Sequence, residues 1–169
     1  MNAHPELPGT SGQGSVVFVQ PPAKRKERPR EVVVRAEFQE PDWNKDDRKS
    51  APQFQRVNLL AREALEEIGT HQGLKVWPGF CGENICTESV DYDALSIGSL
   101  LQVGGMILLV TEKGRKCEGK CMVSQVCQGQ CPLSNNWVFT WLVSGTEVRI
   151  GDPVRIINPT ADPEPKTSQ

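Results

Sequence analysis

A chain of 169 residues has room for one domain with its own hydrophobic core. Nineteen basic against 21 acidic residues leave a net charge of -2, which argues against wholesale binding to nucleic acid or to an anionic membrane. No apolar run approaches the roughly 20 residues of a spanning helix. The opening MNAHPELPGTSGQG has neither the basic nor the apolar region of a secretion signal, so a cytoplasmic, reducing setting is expected.

Residues 1–14 are rich in Gly, Pro and Ser and read as a flexible arm; 158–169 read as a flexible tail, and 15–157 as one domain. SVVFV (15–19) and EVVVRAEF (31–38) are β-branched runs and read as strands. The basic run AKRKERPR (23–30) between them reads as a solvated loop, with a phosphate-binding patch as the functional alternative. In VNLLAREALEEIG, Val57, Leu60, Ala61, Ala64, Leu65 and Ile68 form one helical stripe, which predicts a helix capped by Asn58 and closed by Gly69. LLQV-GG-MILLV predicts a hairpin about Gly104-Gly105. NWVFTWLV and EVRI predict another through Ser144-Gly145-Thr146, and VRI (154–156) follows a turn at Gly151-Asp152-Pro153. One helix among many short strands points to a mainly β fold, a barrel or a sandwich with helical additions.

Four of the six cysteines, Cys117, Cys121, Cys127 and Cys131, lie in a C-x3-C-x5-C-x3-C run. Three chemistries fit that pattern: a structural zinc site using all four, a pair of disulfides, or one reactive thiolate with supporting neighbours. Lys113, Arg115, Lys116 and Lys120 surround Cys117, and nearby cations stabilise a thiolate. The same cations can hold a cofactor's phosphate. Cys81 and Cys86 read as small buried hydrophobes, His4 and His71 as polar surface, and Trp43, Trp77, Trp137 and Trp141 as packing residues.

The order of the motifs resembles the MOSC domain, named for its place at the C-terminus of molybdenum cofactor sulfurases. The residues that carry the resemblance are Gly79, Phe80, Glu83, Asn84 and Ile85, then Leu95, Ile97 and Gly98, then a strand hairpin and Cys117 after a basic stretch. RVNLLAREALEEI is similar to the family's central helix, and the likeness runs over roughly residues 15 to 156. It resembles the small stand-alone members. The resemblance implies a β-barrel-like fold that binds molybdenum cofactor (molybdopterin) or carries sulfur as a persulfide. Cys117 matches the family's key cysteine and is the implied metal ligand or persulfide carrier. Arg56, Arg115, Lys116 and Lys120 would supply charge for the pterin phosphate, and Asn84 a polar contact. The implied partner is the cofactor, or a protein that makes or accepts it. No pyridoxal phosphate is expected, since no sulfurase domain accompanies the barrel. The chain departs from the family at three places: it has no Gly-Asp-His element, Gln55-Arg56 stand in reverse order, and Glu118 replaces a frequent His.

Overall fold

The computed structural model describes residues 10–20, 35–37, 56–70, 74–114, 122–127 and 131–157. In chain order these form β1 (Thr10–Val19), β2 (Arg35–Glu37), β3 (Arg56–Ala61), α1 (Arg62–Gly69), β4 (Ile85–Glu88), a 3-10 turn (Tyr92–Ala94), β5 (Leu100–Val103), β6 (Met106–Lys113), α2 (Met122–Val126), α3 (Leu133–Asn136), β7 (Trp137–Ser144), β8 (Glu147–Arg149) and β9 (Pro153–Ile157). Seven of the strands close a barrel in the order β1-β4-β3-β7-β6-β5-β9, with β9 pairing back onto β1. Closure leaves the barrel no open edge to pair with another chain. The fold is therefore the mainly β barrel expected.

Alternation along the strands fills the interior. On β6, Met106, Leu108 and Val110 are buried while their neighbours are half-buried. On β7, Val138, Thr140 and Leu142 point inward, and the Thr140 hydroxyl donates to the Val57 carbonyl at 2.8 Å. An inward polar group is tolerated because it is paired. β5 and β6 form the predicted hairpin, with Val103 opposite Met106. Gly104 takes φ +55, and the Asp152 carboxylate stands 2.2 Å from where its Cβ would lie. Glycine suits the left-handed backbone there, and any side chain would also force the Asp152 carboxylate to shift.

Three expectations are corrected. Arg56–Ala61 is a strand, so only the second half of the predicted helix is helical. Leu59, Leu60 and Ala61 are all buried, and a strand apolar on both faces cannot be told from a helix by period alone. Asn58 is thus a strand residue, and Ala61 stands at the helix cap without a side-chain bond. Gly69 ends α1 in helical geometry; Thr70 closes the turn, its N–H and hydroxyl both donating to the Glu67 carbonyl. Second, β1 reaches back to Thr10 and pairs with β9, so residues 10–14 are barrel, not arm. Third, β7 and β8 are not a hairpin: β8 pairs with β2, and β7 lies between β3 and β6. Residues 31–34, the basic run 23–30, Trp43, His4 and His71 lie outside the described residues. No helix among the described residues is long and apolar enough to cross a membrane.

β3 and β4 are the one parallel pair in the barrel. Parallel neighbours require a crossover connection, and α1 supplies it, burying Ala64, Leu65 and Ile68 beside β3 and β4. The stretch that returns from α1 to β4 carries the GFCGEN motif.

Candidate functional site

The GFCGEN motif folds into a compact loop at the entrance to β4. Phe80 N–H donates to the Trp77 carbonyl at 2.9 Å, Gly82 N–H to the Gly79 carbonyl at 3.2 Å, and Gly79 N–H to Glu83 Oε1 at 2.5 Å. Glu83 is fully buried. Burial pushes its carboxyl above the ordinary range, while the backbone N–H groups of Gly79, Glu83, Cys81 and Gly82 pull the other way. Its second oxygen, Oε2, is shut off from solvent with no hydrogen-bond partner.

Asn84 ties three strands' worth of backbone together. Its N–H donates to the Asn58 carbonyl at 2.8 Å and its Oδ1 accepts from Asn58 N–H at 2.9 Å. Its Nδ2 donates to the Gln20 carbonyl at 3.2 Å, and its own carbonyl accepts from Gln20 N–H. Both polar atoms of the side chain are thus committed to the barrel. Asn84→Ala removes two partly buried bonds, each worth about 1 kcal/mol. The expected result is a lower urea midpoint corresponding to about 2 kcal/mol; an unchanged midpoint would show the tie to be idle.

The register places the remaining described candidates on and beside β3. Arg56 begins the strand, is exposed, and stands opposite Trp141. Asn58 stands opposite Phe139, and Phe139 opposite Glu112; one step on, Val138 stands opposite Lys113. Because 138, 140 and 142 point inward, Trp137, Phe139 and Trp141 share the outer face with Arg56 and Asn58. Trp137 and Phe139 stack there, with ring centroids 5.5 Å apart and planes 13° from parallel. Two polar atoms on this face have no partner: Asn58 Oδ1 and Trp137 Nε1. Reading Asn58 as a cap and Trp137 as packing missed both. The signals present were an Asn inside an apolar run and the W-V-F-T-W alternation.

β6 ends at Lys113, whose ammonium donates to the Leu95 carbonyl at 3.3 Å and lies 3.9 Å from the Asp93 carboxylate. Gly114 then leads into 115–121. Cys117, Arg115, Lys116, Lys120 and Cys121 lie outside the described residues. Cys127 closes α2, its N–H donating to the Val123 carbonyl at 2.9 Å, and Cys131 receives the Ser134 N–H and hydroxyl on its carbonyl. Both side chains are buried in the hydrophobic core. Among the described residues no three of His, Cys, Asp and Glu come together as a metal site.

Cys86 is fully buried, and burial, with Glu83 and Glu63 nearby, drives its thiol far above the ordinary range. It is inert packing, as expected, whereas Cys81 is half-buried. Ile97, from the motif match, is exposed, while Leu95 is core. Trp77 is exposed too, edge-on to Phe80.

Neither a protein-family model nor a curated protein sequence matches the chain. Solved structures do. YiiM from Escherichia coli is similar over 89% of this chain and 72% of its own, at 13% identity and a TM-score of 0.55. The YuaD protein from Bacillus subtilis is similar over 87% and 94%, at 12% identity and 0.53. For YiiM from Geobacillus stearothermophilus the shares are 60% and 54%, at 14% identity and 0.50, so the chain spans about half of that protein. At such identities the likeness carries the fold alone: a mainly β, seven-stranded closed barrel, which fits the MOSC-like architecture expected from the sequence.

Proposed function

We propose that this chain is a MOSC-type protein that binds molybdenum cofactor or carries sulfur for it, with Cys117 as the working thiolate. The observation that supports this best is a coincidence of fold and motif order. A barrel similar to those of YiiM and YuaD carries, in sequence order, the GFCGEN loop, the Leu-x-Ile-Gly turn, the hairpin, and a cysteine among cations.

Among the described residues, Arg56 at the start of β3 is the candidate for the phosphate end of such a group. Molybdenum cofactor pairs a pterin ring with a phosphate. On β3 and β7, Asn58 Oδ1 and Trp137 Nε1 are shut off from solvent and closed to such a group, whereas Arg56 is exposed. Arg56 would neutralise the phosphate together with Arg115, Lys116 and Lys120. Asn84, committed to Asn58 and Gln20, holds the strand that presents Asn58 and leaves little of its own side chain for a ligand. Cys117 would ligate the metal or hold the transferable sulfur, and its cationic neighbours would keep it ionised at neutral pH. When bound, the cofactor supplies the redox chemistry.

The test is to purify the protein from a host that makes the cofactor and measure molybdenum, pterin and intact mass. Molybdenum and pterin together, or one extra sulfur atom on the chain, are expected, and Cys117→Ser should lose them while keeping its unfolding midpoint. Absence of all three overturns the reading. About one zinc per chain in their place, with unfolding by chelator, would instead establish the four-cysteine site of Cys117, Cys121, Cys127 and Cys131. A barrel with none of these would be a scaffold for protein interaction.

A further inference from the structure

We infer that β2 is a docking edge for a second copy of this chain, the two β2 strands pairing antiparallel about Ala36. The barrel is closed, but the two-stranded sheet of β2 and β8 stands outside it. β8 is the inner strand of that sheet. Val148 is fully buried while Glu147 is half-buried and Arg149 exposed. The Glu147 carbonyl lies 3.3 Å from where a Cβ on Gly105 would stand, at the β5–β6 turn. β2 is the outer strand, and among the described residues it pairs with β8 alone. A strand edge in that state is a template for pairing with another chain.

The backbone bonds of β8 decide which groups face that edge. Arg149 N–H donates to the Asp152 carboxylate at 2.8 Å, and the Arg149 carbonyl accepts from Asp152 N–H at 3.1 Å, in the turn to β9. Both groups are thus committed away from β2, and the ladder bonds run between Val148 and Ala36, which stand opposite. Bonding directions alternate from residue to residue along an antiparallel strand. The N–H and carbonyl groups of Arg35 and Glu37 therefore point to the outer edge, where no described strand lies. A two-fold axis through Ala36 sets Arg35 opposite Glu37 of the second copy, and Glu37 opposite Arg35 of the second copy. Each of these pairs exchanges its backbone N–H and carbonyl bonds, as the ladder requires.

Charge selects that arrangement over its alternatives. Within the chain the register sets Arg35 opposite Arg149 and Glu37 opposite Glu147, like against like at both positions. Like charges directly opposite are unfavourable. Arg149 pairs instead along its own strand, Nη2 to Glu147 Oε1 at 2.6 Å. Across the outer edge the antiparallel pair puts opposite charges together at both positions, whereas a parallel pair in register would repeat the mismatch. Arg-Ala-Glu, read against its own reverse, is its own complement. A patch of this size makes a weak dimer, populated as concentration rises.

Sedimentation equilibrium of the full chain, from about 10 μM to about 1 mM, covers association of this strength. Wild type should dimerise within that span. Arg35→Glu and Glu37→Arg each set like charges against one another across the edge, and each should weaken the dimer about tenfold or more. Each also replaces a like-charge pair inside the chain with an opposite one, so neither should lower the unfolding midpoint. An equimolar mixture of the two variants should form a heterodimer, because the acidic edge of one meets the basic edge of the other. The double exchange Arg35→Glu/Glu37→Arg should dimerise like wild type.

A wild type that stays monomeric throughout overturns the inference. So does a dimer that neither single variant weakens, which would put the interface elsewhere. Loss of the dimer in both variants, with no recovery in the mixture or in the double exchange, overturns it as well. The measurement needs no cofactor, and its outcome is independent of the molybdenum reading.

Discussion

Gly114→Ala is expected to lower the thermal unfolding midpoint by about 6–12 °C, equivalent to roughly 3 kcal/mol. Gly114 has φ +70, a conformation that costs an L-residue about 1–2 kcal/mol. A Cβ there would also stand 1.8 Å from the Ser134 carbonyl oxygen, a backbone atom of α3 that cannot swing aside. The glycine is held in place by its N–H, which donates to the Trp137 carbonyl at 2.7 Å. Relief of the clash therefore requires β6 and α3 to separate at the point where the chain leaves for Cys117 and β7 begins with Trp137. Ligand binding should fall with stability in this variant. A midpoint within about 2 °C of wild type would show that α3 yields freely and that the tight junction is not a constraint.

Glu83→Ala should cost about 2–4 kcal/mol in a urea titration, because it orphans the Gly79 N–H and empties a fully buried site. Glu83→Gln separates charge from shape, since it keeps a carbonyl oxygen for Gly79. The folded protein raises the Glu83 pKa above its unfolded value, chiefly through burial. The native state therefore binds more protons than the unfolded chain between those two values, and stability falls as pH rises through them. The Glu83 contribution is complete below the ordinary glutamate pKa of about 4.3 and is lost as pH passes the raised one. Wild type should thus lose ground to Glu83→Gln as pH rises above about 4.3, until the raised pKa is passed. Cys86 and Tyr92, both pushed well upward by burial, stay neutral over that range and do not mask the effect. A pH-independent difference between the two proteins would place the charge in contact with water.

The tie at Asn84 and the carboxylate at Glu83 give the GFCGEN motif a physical meaning. Glu83 gathers the loop's own N–H groups, and Asn84 fastens the result to β1 and β3. The motif builds the entrance to β4 and fixes the Asn58 backbone beside it. The hydrogen bonds of Glu83 and Asn84 are structural ones, within the motif's own loop and to the backbone of Asn58 and Gln20.

Local rules in the sequence were sufficient wherever a short segment decides its own conformation. Gly104-Gly105 set the β5–β6 hairpin because a two-residue turn needs a residue free to take positive φ. The stripe of Ala64, Leu65 and Ile68 specified α1, and the β-branched runs specified β1 and β9. The mainly β class and the likeness to a barrel followed from those elements together with the order of the motifs. Partner choice was not local. Arg56–Ala61 became a strand because β4 and β7 flank it and the core takes its apolar residues on both faces, a circumstance that no window of sequence contains. β8 left β7 for β2, because β7 already had both neighbours, β3 and β6, and could take no third. The neighbourhood of Asn58 and Trp137 is of the same kind: the two residues are far apart in the chain, and only the β3–β7 register brings them onto adjacent strands.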